Sequence, residues 1–325
     1  MKVLLTHVPQ ARAQYYGARS LEGLQAIAQV KLHEADDALD VAGLIEAAGD
    51  VDIIVADRLT GGPAAIFSRL PKLRAFVRCA VDIRNVDVGA ASAVGVLVTQ
   101  AGPGFVQSVA ELALGFMVDL SRGVSRAAAD YHAGRKPGIV MGRQLAGSRV
   151  GIIGYGSIGR YLAGIAGVLG MEILVADPFA TIEEPGIQHV PLDDLLGRSD
   201  YVVCLAVANE KTENMIGQAA LARMPPHAFF INLSRGSLVD EAALTAALRE
   251  NRIAGAAMDV GRALDQMPTP EVARLPNVIA TPHIGGLTPP AIESQSLETV
   301  RQVEKIMAGE APVGAVNAAE WTRRP

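Results

Sequence analysis

The sequence predicts an α/β protein built from two doubly wound parallel sheets. Three observations carry that prediction. Residues 1 to about 100 alternate short apolar runs with helical patterns, a second and more regular alternation starts at Arg149, and Gly/Pro breaks at 101–105 (AGPGF) and 285–290 (GGLTPP) punctuate the chain. A length of 325 residues also suits two domains better than one.

The first series runs MKVLL, LEGLQAIA, VKLH, ALDVAGLIEAA, DIIVAD, AAIFSRL, LRAFVRC, VDVGAASAV and VLVT. MKVLLTHVPQ carries one Lys and turns polar early, so it reads as a short strand and not a signal peptide. After the first break, the spacing predicts one long helix from about Gln107 to Ala129. It is apolar on most sides (VAELALGFMVDL), which asks for burial against more than one sheet face and suggests a homodimer partner. The second series runs VGIIG, a helix through Leu169, EILVAD, LDDLL, YVVCLAV, QAALARM, AFFINL, DEAALTAALRE, IAGAAMDV and NVIAT. A last helix from about Ala291 to Met307 lies beyond the second break, where it is free to cross back to the first domain.

Composition narrows the function. Half the residues are hydrophobic and 19% are charged, so a sizeable core is available and disorder is excluded. The net charge is -5 with no basic stripe, which argues against duplex nucleic acid and anionic membrane as partners. One Trp, six Tyr and seven Phe are too few and too scattered for a base-stacking platform. Cys79 and Cys204 sit in apolar runs without a CxxC partner, so no metal site or disulfide framework is expected and a reduced, cytoplasmic compartment fits. No apolar stretch reaches the roughly 18 residues of a membrane span.

The sharpest local signal is VGIIGYGSIG, with Gly154, Gly156 and Gly159 in GxGxxG spacing after an apolar strand and before a helix. Gly154 permits the tight turn, Gly156 lets a pyrophosphate approach the backbone, and Gly159 allows close helix packing. The amides of Ser157 and Ile158 would hold the phosphates at the helix start. The next strand ends at Asp177, 18 residues beyond Gly159, where a carboxylate accepts hydrogen bonds from a ribose diol and repels a 2′-phosphate. NAD is therefore expected over NADP.

Two further residues stand at strand ends in the same series. Arg235 follows the strand in AFFINLSRGSLVDEAAL, and its planar fork suits a carboxylate or ketone oxygen. His283 follows Val278 to Ala280 in NVIATPHIGG, where Gly285 and Gly286 allow close approach. His7, after the first strand, is the competing histidine. Between them another strand, IAGAAMDV, ends at Asp259.

Taken in order, VGIIGYGSIG, Asp177, INLSRGSLVDE, AGAAMDV and TPHIGG resemble the D-isomer-specific 2-hydroxyacid dehydrogenase family, densely in the second domain and less so in the first, where SVAEL is also similar. The resemblance implies a Rossmann-like cofactor domain at 102–287, inserted into a flavodoxin-like substrate domain at 1–101 plus 288–325. It implies that Arg235 binds the carboxylate and carbonyl of a small 2-keto acid, and that His283 is the acid/base as NADH delivers hydride. Asp259 would touch the nicotinamide end, with Leu233, Ser234 and Gly286 nearby.

The chain departs from that family at three places. Leu264 stands where a Glu usually pairs with the His, and Asp265 is the nearest carboxylate and the expected substitute. The normally Gly-rich loop that offers amides to the substrate carboxylate reads Ala80, Val81 and Asp82, so a negative charge faces an anion unless Arg78 or Arg84 offsets it. Val207 replaces a usual Pro, whereas Thr212 keeps a family-like place near the cofactor. The leading expectation is an NAD-dependent dehydrogenase. The alternative, favoured by the missing Glu, is an NAD(H)-binding sensor or corepressor-like protein with vestigial catalysis. No small regulatory domain of the kind some phosphoglycerate dehydrogenases carry is expected after residue 325.

Overall fold

A computed structural model describes residues 1–325, the side chain of Asp265 aside, and divides them into Met1–Gly104 with Pro289–Pro325, and Phe105–Thr288. The first unit runs β1 (Lys2–Leu5), α1 (Pro9–Tyr15), α2 (Ala18–Ile27), β2 (Gln29–Leu32), α3 (Val41–Ala48), β3 (Ile53–Ala56), α4 (Ala64–Arg69), β4 (Ala75–Arg78), α5 (Val88–Ala93) and β5 (Leu97–Gln100). Its five strands are parallel in the order β2-β1-β3-β4-β5. Helices cover both faces, which is why IIVA of β3 and AFVR of β4 are buried at every position. Ile54, Phe76 and Val98 meet Leu44 and Phe67 on one face, and Val3, Val55 and Val77 meet Leu24 and Val303 on the other. The closing helix Pro289–Met307 belongs to this unit and packs on α2. A buried polar seam registers the two helices, with the Tyr16 and Thr299 hydroxyls 3.0 Å apart and those of Ser20 and Ser296 2.7 Å apart.

The second unit runs α6 (Val106–Arg122), α7 (Val124–His132), β6 (Arg149–Ile153), α8 (Ser157–Val168), β7 (Glu172–Ala176), β8 (Ile187–His189), α9 (Leu192–Arg198), β9 (Tyr201–Cys204), α10 (Gln218–Arg223), β10 (Phe229–Asn232), α11 (Glu241–Arg249), β11 (Gly255–Met258), α12 (Pro270–Ala273) and β12 (Val278–Ala280). Its seven parallel strands take the order β12-β11-β10-β9-β6-β7-β8, reversing direction between β6 and β9. In such sheets ligands bind beyond the carboxyl ends of the strands at the reversal.

The long helix expected over 107–129 is two helices. Gly123, at φ +65, ends α6 in the left-handed conformation that a side chain resists, and α7 restarts at Val124. The broad apolar surface of α6 is also used within its own unit: Val109, Ala110, Ala113, Phe116 and Met117 are buried where α6 meets α8, β10 and β11. Exposed apolar side chains lie further on, at Val124, Tyr131 and, above all, Ile139, Val140 and Met141. Among the described residues no helix is long and apolar enough to cross a membrane.

Candidate functional site

The reversal point of the seven-stranded sheet is occupied by the glycine loop. Gly154 follows β6 at φ +93, and a Cβ there would come within 2.7 Å of the Ala206 backbone in the loop after β9. Only glycine lets these two loops approach so closely. Gly156 is the N-cap of α8 in extended conformation, and no side chain caps the helix. The first amide to turn inward is that of Arg160, which donates to the Gly156 carbonyl at 2.9 Å, so the amides of Ser157, Ile158 and Gly159 point out of the helix start. That arrangement fits a pyrophosphate. Asp177 stands against the same loop: its two carboxylate oxygens accept from the Tyr155 amide at 2.7 Å and the Phe179 amide at 2.9 Å. Each oxygen keeps a lone pair for a ribose hydroxyl. Val207 is exposed on the loop after β9, and Thr212 shapes that loop by donating to the Val207 carbonyl at 2.9 Å.

Arg235 is set by a buried amide that the sequence reading passed over. Asn232 ends β10 with no exposed surface; its Oδ1 accepts from the Ser234 amide at 3.1 Å and its Nδ2 donates to the Arg235 carbonyl at 3.0 Å. The signal in the sequence was a polar residue closing the otherwise apolar run FFIN. Leu233 is buried beneath the turn, and the Ser234 hydroxyl donates to the Ala206 carbonyl at 2.5 Å, tying this turn to the loop beside Gly154. The half-buried Arg235 guanidinium donates to the Ser234 carbonyl at 2.7 Å.

His283 lies three residues beyond β12 at φ +56, a left-handed backbone uncommon outside glycine. Asp259, 2% exposed at the end of β11, holds that turn in place. Its carboxylate accepts from the Thr281 hydroxyl at 2.6 Å and from the amides of Ile284 and Gly285, both at 2.8 Å. Asp259 therefore braces the histidine loop, a role the sequence reading did not give it when it assigned the residue to the nicotinamide end. Gly286 packs against Phe105. β10, β11 and β12 are adjacent strands, so Arg235, Asp259 and His283 emerge side by side from one edge of the sheet. A strained turn held by three bonds to a buried carboxylate is a common feature of functional sites.

Residues 114–285 match the family described as "D-isomer specific 2-hydroxyacid dehydrogenase, NAD binding domain". Over 302 residues the chain is 32% identical to a glyoxylate reductase from Thermococcus onnurineus, covering 89% of this chain and 90% of the relative. The chain belongs to the D-isomer-specific 2-hydroxyacid dehydrogenase family. It is also 32% identical over 285 residues to a D-3-phosphoglycerate dehydrogenase from Mycobacterium leprae; that match covers 86% of this chain but spans only 54% of the longer relative. The fold is shared with the TT0316 protein from Thermus thermophilus at a TM-score of 0.87 and 26% identity, over 97% of this chain and all of the other.

As a member of this dehydrogenase family, the chain carries an NAD-binding domain whose glycine loop and Asp177 fit the cofactor. Its departures from the family are also structural facts. Leu264 is 88% exposed and offers no acceptor, and the role expected of Asp265 lies outside the described residues. In the first unit, Arg84 pairs with Asp82 through two donors, Nη2 to Oδ2 at 2.6 Å and Nε to Oδ1 at 3.0 Å. That bond raises the Arg84 pKa and offsets the Asp82 charge. Arg78, 2% exposed at the end of β4, donates to the carbonyls of Asp82 at 3.1 Å and Thr60 at 2.7 Å, and to those of Asp57 and Arg58. Because C=O and N–H lie on opposite sides of a planar trans peptide, the Asp82 carbonyl turned toward Arg78 aims the Ile83 amide away from it. Ala80, Val81 and Asp82 thus sit in a loop shaped around a buried cation instead of by glycines. His7, the competing histidine, is buried in this unit against Tyr16, with ring centroids 5.2 Å apart. Burial lowers its pKa to about 4, so it stays neutral. Among the described residues no cluster of His, Cys, Asp and Glu is arranged to hold a metal ion.

Proposed function

We propose that the chain is an NAD-dependent D-2-hydroxyacid dehydrogenase that interconverts a small 2-hydroxy acid and its 2-keto acid. The observation that carries this reading is the row of Arg235, Asp259 and His283 along the sheet edge that also bears the glycine loop. When bound, NADH supplies the hydride. Arg235 holds the substrate carboxylate and draws electron density onto the carbonyl oxygen. His283 gives a proton to that oxygen in reduction and takes it back in oxidation. Asp177 selects NAD over NADP, and Leu233, Ser234, Val207, Thr212 and Gly286 border the cofactor. We assign the unit formed by residues 1–104 and 289–325 to substrate binding, with Ala80, Val81 and Asp82 as its candidate residues.

Two further assignments complete the reading. The exposed apolar side chains of Val124, Tyr131, Ile139, Val140 and Met141 mark the homodimer surface, because side chains such as Ile139 and Met141 have no cover within their own unit. Sedimentation of a stable monomer at micromolar concentration would remove that assignment. The compartment is cytoplasmic, in keeping with Cys79 and Cys204, which are unpaired and so deeply buried that their pKa values rise to about 12.

NADH oxidation measured against a panel of 2-keto acids, including glyoxylate and hydroxypyruvate, tests the activity. Turnover with at least one acid supports it. Tight NADH binding without turnover on any acid would favour the sensor reading, for which the exposed Leu264 in the histidine-partner position is the motive.

A further inference from the structure

Arg262 is absent from every role described so far, yet it joins three loops at the edge of the seven-stranded sheet. We propose that Arg262 is a positioning residue that holds the turn carrying Arg235 in its working orientation, an inference that rests on the dehydrogenase reading above. The guanidinium lies within hydrogen-bond distance of the Ser237 carbonyl at 3.0 Å and the Val239 carbonyl at 3.1 Å, both in the turn that follows Arg235. It also reaches the Glu213 carboxylate at 2.9 Å and the Asn214 side-chain oxygen at 2.5 Å, in the loop after β9. Its own amide donates to Glu241 Oε1 at 3.0 Å, at the first turn of α11, and Thr269 secures the other oxygen of that carboxylate at 2.8 Å.

The need for such a brace follows from the packing beneath it. A Cβ on Gly236, the residue after Arg235, would overlap the Gly261 carbonyl, and one on Gly261 would come within 2.5 Å of Pro268 Cα. These two loops meet backbone to backbone at Gly236 and Gly261. Around that close approach Arg262 places charge-assisted contacts from its Nη2 and Nε. The loop after β9 is already paired to the turn, with the Asn214 amide donating to the Ser237 carbonyl at 2.8 Å and the Ile216 amide to the Leu238 carbonyl at 2.9 Å. Arg262 adds the loop after β11 to this pair. Asn232 holds the Arg235 carbonyl from the other side, so the turn is gripped at both ends.

The test uses the full-length protein and combines hydrogen exchange with kinetics. In Arg262→Met, the amides of Asn214, Ile216 and Val239 should exchange about tenfold faster or more, while Gly154 to Gly159 exchange as before. The keto-acid KM should rise about tenfold and kcat fall, because small misplacements of a substrate-orienting group are costly, with NADH affinity within about twofold of the unmutated protein. Arg262→Lys, which keeps the charge but not the fork, should recover part of the KM. If Arg262→Met does not fold, the double variant Glu213→Met/Asn214→Gly leaves the arginine but removes both side-chain acceptors, with glycine accommodating the φ of +54 at position 214. It should raise KM in the same direction, by about threefold. Unchanged exchange in these segments, or unchanged KM with normal turnover, overturns the proposal. Absence of turnover in the unmutated protein would instead overturn the dehydrogenase reading, while the exchange result still decides whether Arg262 braces the turn.

Discussion

Arg78 and Arg235 both stand at the carboxyl ends of parallel strands, one in each unit, and they do opposite kinds of work. Arg78 is 2% exposed and directs its donors at backbone carbonyls of the two loops around it, so burial lowers its pKa without stripping it of partners. Arg235 is half-buried, on a turn that Asn232 and Arg262 hold from either side. The difference teaches that a strand-end arginine is not a ligand-binding signal by itself. What separates the two is that the Arg78 fork is directed at four backbone carbonyls of its own unit, whereas the turn that carries Arg235 is itself held by other residues.

Substitution should split the two arginines cleanly. Arg78→Met leaves several buried carbonyls unsatisfied and should cost about 3–5 kcal/mol of stability in denaturant unfolding. Arg235→Met should cost clearly less stability than Arg78→Met and lower kcat/KM for the keto acid by about 10³-fold. Equal stability losses in the two variants would erase the distinction.

The next effect concerns the histidine turn. Asp259→Asn keeps the shape but replaces one acceptor oxygen with a donor, which then faces either the Gly285 amide at Oδ2 or the Thr281 hydroxyl and Ile284 amide at Oδ1. The His283 loop should loosen, and kcat should fall about 10- to 100-fold with a smaller change in KM. Asp177→Ala, at the opposite end of the cofactor, should weaken NADH by about tenfold and relax discrimination against NADPH, with little effect on the keto-acid KM. Equal NADH and NADPH affinities in the unmutated protein would remove the basis for that expectation.

Burial lowers the His7 pKa to about 4 in the folded state, and it regains its ordinary value near 6.5 on unfolding, so the unfolded chain binds more protons between those limits. Its contribution to stability is constant above pH 6.5 and is lost as pH falls toward 4, by about 2 kcal/mol at pH 5. His7→Leu, which also removes a buried Nδ1 that has no hydrogen-bond partner, should flatten this acid dependence in thermal unfolding. An unaltered pH dependence would show that other groups carry it.

Much of this architecture was legible because buried parallel strands write themselves as apolar runs: FFIN, YVVC and IIVA are each buried at every position. β8 was not legible, since IQH is a short edge strand with no buried residue and so lacks that run. The break at Gly123 was hidden by apolar residues that continue on both sides of it. At the candidate site, GxGxxG and the strand-end positions of Arg235 and His283 could be read from local spacing. The braces could not. Asn232, Asp259 and Arg262 act through contacts 2 to 49 residues away in the chain, and sequence alone does not reveal which carbonyls and amides a fold will bring to them.

The central claim is that the edge bearing His283 performs proton transfer to a keto acid while the glycine loop holds NADH. His283→Asn tests it most directly, because asparagine tolerates the left-handed backbone that this position requires and removes only the imidazole. NADH binding by fluorescence and NADH oxidation with the best keto acid should be measured on the same preparation. The account predicts unchanged NADH affinity and a fall in kcat of about 10³-fold. Undiminished turnover in His283→Asn would contradict it.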